Sequence, residues 1–87
     1  MKISVWDTYV KRGNQKIMHF DILVPSEMIS EKTIFAYGQE YLGSKMFTTG
    51  TLSAKECKFC HVEQASAEVI KSIHEKGYHI IEMENCI

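Results

Sequence analysis

The sequence predicts an α+β fold: a two-layer sandwich in the order ββαβαβ, with a four-stranded mixed sheet and both helices on one face. Three observations carry that expectation. Two alternating runs rich in β-formers, Lys2 to Val10 and Lys16 to Val24, flank Arg12-Gly13-Asn14-Gln15, and Gly-Asn between such runs signals a hairpin. Two later segments repeat apolar residues at helical spacing, each with a serine to cap it and a glycine to stop it. A short apolar run, Tyr78 to Met83, follows the second helix. With 87 residues there is room for a single domain, 1-87.

Taken in order, the tight turn pairs Val10 with Ile17, Thr8 with His19 and Trp6 with Asp21, and paired residues share a face. One face then carries Ile3, Val5, Asp7, Tyr9, Met18, Phe20, Ile22 and Val24. It is the expected core face, with Asp7 its one misfit. The other carries Ser4, Trp6, Thr8, Val10, Ile17, His19, Asp21 and Leu23. Pro25 ends the second strand because it has no N–H for a ladder. Ser26 or Ser30 caps a helix reaching about Leu42. Its stripe is Ile34, Tyr37, Tyr41 and Leu42, and Gly43 is its C-cap. Ser44 to Thr51 is a loop.

From Leu52 to Val62 two patterns compete. Ser53-Ala54-Lys55-Glu56 reads as a capping box, whereas Cys57, Phe59 and His61 alternate with Lys58, Cys60 and Val62. A strand is preferred, because a second helix follows at once. Ser66 caps that helix, Val69, Ile70 and Ile73 form its buried stripe, and Gly77 ends it. Tyr78 to Met83 then reads as an interior strand, and the residues after it as a tail.

Composition narrows the function classes. Apolar residues are 45% of the chain and charged residues 24%, with a formal net charge of -1. That balance gives no electrostatic reason to bind nucleic acid or an anionic membrane. No apolar run approaches the roughly 20 residues of a membrane span. The N-terminal residues alternate as a strand does, without the apolar stretch of a signal peptide, so the expected location is cytoplasmic. Three cysteines, an odd number, argue against a secreted disulfide framework.

Cys57-Lys58-Phe59-Cys60-His61 concentrates the reactive side chains. As Cys-x-x-Cys-His it matches the c-type haem attachment signature, a reading that requires export. With Cys86 it makes a Cys₃His set, Cys57, Cys60, His61 and Cys86, suited to tetrahedral zinc. Strand geometry objects, since Cys57 and Cys60 then point to opposite faces. Cys57 and Cys60 also make a candidate dithiol for redox chemistry, with Cys86 as resolving thiol. The plainest reading is that the cysteines pack as small hydrophobes and His61 lies at the surface.

A second constellation lies on the expected outer face. Thr8, His19 and Asp21 share it, and a carboxylate two residues from an imidazole on one strand can orient it. Solvated face residues are the plainer account. Trp6, Thr8, Val10, Ile17, His19, Asp21 and Leu23 together form an expected interaction face, for which a homodimer is the natural cover. The alternative cover is a loop or the tail of the same chain. Asp7, expected on the core face, needs a partner: a helix N-terminus, a tyrosine hydroxyl or His61. No catalytic constellation is assigned.

Trp6-Asp7-Thr8-Tyr9-Val10, Met18-His19-Phe20-Asp21, Glu56-Cys57-Lys58-Phe59-Cys60-His61 and Gly77-Tyr78-His79-Ile80-Ile81-Glu82-Met83-Glu84 together resemble the small bacterial family of uncharacterised proteins called domain of unknown function 2024. The resemblance covers nearly the whole chain. It implies a small single-domain α/β protein without an assigned activity. Asn85 stands where that family tends to have glycine, and both residues tolerate a left-handed backbone. The function expected is that of a small binding or interaction module, with zinc binding and thiol redox chemistry as the specific alternatives.

Overall fold

A computed structural model describes all 87 residues. β1 (Lys2–Arg12) and β2 (Lys16–Pro25) form a hairpin, followed by α1 (Glu31–Gly43), β3 (Cys57–Gln64), α2 (Ala67–Lys76) and β4 (His79–Glu84). The ββαβαβ order is therefore as expected. The sheet has the strand order β3-β1-β2-β4. Every neighbouring pair is antiparallel, so the sheet is not mixed. The reason lies in where the crossovers land. β3 and β4 add to opposite outer edges of the hairpin, and each pairs with the strand that runs against it. β4 is thus an edge strand rather than an interior one, and its Ile81 and Met83 are exposed.

The hairpin turn is one residue longer than the Gly-Asn signal implies. Gly13–Gln15 form a single 3₁₀ turn, and Asn14 and Gln15 both take left-handed conformations, at φ 70° and 59°. Arg12 consequently pairs with Lys16, Val10 with Met18, Thr8 with Phe20 and Trp6 with Ile22. A shift of one residue moves a whole strand to the other face. Ser4, Trp6, Thr8 and Val10 therefore join Met18, Phe20, Ile22 and Val24 on one face. Ile3, Val5, Asp7 and Tyr9 join His19, Asp21 and Leu23 on the other.

Both faces are used, so the two helices lie on opposite sides of the sheet rather than on one. Ile34 and Leu42 of α1 pack with Trp6, Val10, Met18, Phe20, Ile22 and Val24. Val69 and Ile73 of α2 pack with Ile3, Val5 and Leu23. The expected single interaction face does not exist. Trp6, Thr8 and Val10 are buried on the α1 side of the sheet, Leu23 is buried on the α2 side, and Ile17 stays exposed. Gly38 marks how closely α1 approaches, since a β-carbon there would fall 2.2 Å from Leu52 and 2.9 Å from Ile22.

Three of the caps follow the sequence, whereas α1 runs through Gly43 and is capped by Ser44 instead. Ser30 accepts a hydrogen bond from the Thr33 N–H at 3.3 Å, and Ser66 accepts one from the Val69 N–H at 3.3 Å. Each satisfies a donor that the first helical turn leaves free. Gly77 ends α2 at φ 93°, its N–H bonded to the Ile73 carbonyl. Ser53 to Glu56 form a turn leading into β3, with the Ser53 hydroxyl and N–H both donating to the Glu56 carboxylate. The capping-box residues and the strand alternation are therefore both realised, one after the other.

The path of α2 decides what it covers. β3 ends and β4 begins at the same end of the sheet, so α2 must cross from one edge to the other. Three strand spacings of about 4.8 Å come to roughly 14 Å, and a ten-residue helix is about 15 Å long. α2 therefore crosses that end and touches Ile3, Val5 and Leu23. The far end of the same face, from Asp7 and Asp21 to the hairpin turn, has no helix over it. No helix is long and apolar enough to cross a membrane.

Candidate functional site

The uncovered end of the α2 face carries a polar cluster. Asp7 and Asp21 are direct cross-strand partners, and so are Tyr9 and His19. The Tyr9 ring stacks on the His19 imidazole, with centroids 4.1 Å apart and planes 12° from parallel. This stack holds the imidazole over the strands. Its Nε2 lies 3.5 Å from an Asp7 carboxylate oxygen and 3.9 Å from one of Asp21. One ligand atom from each of the three residues lies within 4.8 Å of the other two. His19 Nε2 and Asp21 Oδ1 are both buried without a hydrogen-bond partner.

Two carboxylates facing each other across neighbouring strands repel, which is a destabilising placement unless something neutralises one of them. Burial pushes the Asp21 carboxyl up to about 6, and the Asp7 carboxylate adds to the rise. Asp7 is held below its usual range chiefly by the neighbouring Asp21 carboxyl, with His19 and Cys60 as smaller contributors. A proton on Asp21 is one way to neutralise the pair. A bound cation is another.

β3 borders this cluster through an irregularity. His61 pairs with Val5 and Phe59 with Trp6, so Cys60 is an extra residue in the ladder. Such a bulge re-aims side chains at the sheet edge. Here it sets Cys60 and His61 on the same side, with Cys60 Sγ 3.2 Å from His61 Nδ1. His61 Nε2 lies 2.6 Å from Glu63 Oε1. A groove of about 450 Å³ runs past Asp7, Tyr9, Lys58 and Cys60.

The Cys57, Cys60, His61 and Cys86 set does not converge. Cys57 is buried and accepts a hydrogen bond from the Thr8 hydroxyl at 3.3 Å, on the α1 side. Burial pushes its thiol up. Cys86 is also buried, with its Sγ–H directed at the carbonyls of His19 and Glu84. Cys60 and His61 lie on the opposite side, at the surface. The alternation of β3 separates Cys57 from Cys60, which removes both the four-ligand zinc site and the Cys57–Cys60 dithiol. Cys57 and Cys86 instead belong to the core beneath α1.

The sequence reading places His19 beside Asp21 but takes Asp7 for a misfit on the core face. Asp7 belongs with them. The shifted register sets it opposite Asp21, with 39% of its side chain exposed. The signal available in the sequence was Asp7 itself: a three-residue loop takes this carboxylate off the larger core face and places it against a second one. Thr8, read as a member of the same cluster, lies on the other side of the sheet.

Comparison with known proteins agrees with this architecture. No curated protein matches the chain. The NMR structure of protein NE1680 from Nitrosomonas europaea, a target of the Northeast Structural Genomics Consortium, is 36% identical over 100% of both chains, with a TM-score of 0.78. The model of the family described as Domain of unknown function (DUF2024) matches residues 1–83, and this chain belongs to that family.

Proposed function

We propose that the protein is a small metal-binding module whose ligands are Asp7, His19 and Asp21. The observation that supports this most is the directly opposed carboxylate pair with an imidazole nitrogen 3.5 and 3.9 Å from its oxygens. The arrangement costs stability when empty and suits a divalent cation, which would relieve the repulsion and engage the unpartnered atoms. Two oxygens and one nitrogen match a borderline ion such as zinc. Three protein ligands leave a coordination position for water or a further ligand, and Asp7 stands on the exposed side of the cluster. A cytoplasmic setting fits the reading, as does the near-neutral composition.

Zinc titration of chelator-treated protein by calorimetry tests the proposal. One saturable site is expected. His19→Gln and Asp21→Asn should each weaken it by at least about tenfold, the scale on which even outer-shell changes act at metal sites. Cys86→Ser should leave it unchanged. Absence of a saturable site would end the reading, and so would loss of binding in Cys86→Ser with Asp21→Asn unaffected.

A further inference from the structure

The bulge that sets Cys60 against the polar cluster also gives it a base. Of the three cysteines, Cys57 and Cys86 are buried and Cys60 is exposed. Its sulfur lies 3.2 Å from His61 Nδ1, and His61 Nε2 lies 2.6 Å from the Glu63 carboxylate. Thiol, imidazole and carboxylate thus stand in the order in which a nucleophile, its base and the group orienting that base are arranged. When Nε2–H donates to Glu63, Nδ1 carries the lone pair and faces the sulfur. The tautomer that Glu63 favours is therefore the one able to accept the thiol proton. Lys55, Glu56 and Lys58 line the groove beside this sulfur. With Asp7, which lines the same groove, the two positive and two negative charges cancel, so the approach favours neither a cationic nor an anionic reagent.

We propose that Cys60 is a thiol-exchange site, at which His61, held by Glu63, removes the thiol proton as the sulfur attacks a small disulfide. The Cys60 Sγ–S bond forms as the reagent's S–S bond breaks. The proton passes from Cys60 to His61 Nδ1 and from there to the departing thiolate. One thiol and one disulfide enter; one mixed disulfide and one thiol leave. No second protein cysteine takes part, since Cys57 and Cys86 lie in the core beneath α1. The inference does not rest on the metal reading, although Cys60 and Asp7 share one groove.

The test uses the full chain treated with chelator, with neutral dipyridyl disulfide as probe and mass spectrometry to locate the modified cysteine. Cys60 should be modified first. His61→Ala should slow that reaction at least about fivefold, well inside the hundredfold that an organised general base supplies in an enclosed site. Added free imidazole should restore part of the lost rate, which a purely structural role for His61 would not allow. Glu63→Gln, which keeps the side chain's shape, should slow the reaction less and in the same direction. First modification at Cys57 or Cys86, a slowing in His61→Ala smaller than about fivefold, or failure of imidazole to rescue it would each overturn the proposal.

Discussion

On the α1 side of the sheet, twelve buried residues join into one cluster, and on the α2 side five do. The same four strands build both sides. The difference comes from what covers them. The α1 side receives a thirteen-residue helix, Leu52 from the long loop and Cys86 from the tail. The α2 side receives a helix whose length is consumed in crossing one end. Stability is concentrated on the first side, and the exposed reactive groups Cys60, His61 and Asp7 stand beyond α2 on the second. A chain this short has one core to spend its apolar residues on, so an open half-face is what remains.

The largest expected effect breaks the comparison at its stable side. Phe20 is fully buried against α1, and Phe20→Ala should cost about 3–5 kcal/mol in urea unfolding. Ile73→Ala beneath α2 should cost about 2 kcal/mol, the low end for such a change, because the cluster around it is small and near the surface. Equal losses at the two positions would mean that the sides are equally important to the fold. Gly77→Ala should cost roughly 1–2 kcal/mol in the same measurement. At φ 93° a β-carbon is strained, and it would sit 2.6 Å from the Tyr37 hydroxyl.

The smallest effect sharpens the comparison on the open side. Asp21→Asn should stabilise the metal-free protein by up to about 1 kcal/mol at neutral pH, the scale of a cross-strand charge pair. The size of this effect depends on pH. Asp21 rises from an ordinary 3.8 to about 6 on folding, so between those values the folded chain holds a proton that the unfolded chain has released. Stability from this group is present below about 3.8 and is lost as pH rises through about 6. Asp7 is lowered on folding, and its contribution is lost in the opposite direction, as pH falls below its ordinary value. Urea melts across this range should show the fall above pH 4 in wild type and not in Asp21→Asn.

Much of this was legible in the sequence. Ser30, Ser66 and Gly77 mark helix ends through local hydrogen bonding, which neighbouring residues decide alone. Pro25 and the alternation of β1 and β2 likewise located the hairpin. The register was not legible, because Gly13-Asn14 fits a two-residue turn and the adoption of a left-handed conformation by Gln15 is settled by what the strands bury. With a single buried face assumed, Ile3 and Val5 fell in with Phe20. Two buried faces let them pair with Leu23 instead and send Trp6 beneath α1. The same step hides the site: the sequence pattern sets His19 beside Asp21 and leaves Asp7 an isolated misfit on the other face. The bulge at Cys60 was equally invisible, since nothing in Phe59-Cys60-His61 states which residue the ladder skips.

The short reach of α2 has one more consequence. Behind Asp7, His19 and Cys60 stands a packed floor; in front of them there is no ceiling. A molecule that settles there must bring its own second wall, and water will remain at its back. Chemistry at this spot would therefore be shaped as much by the visitor's bulk as by the chain itself.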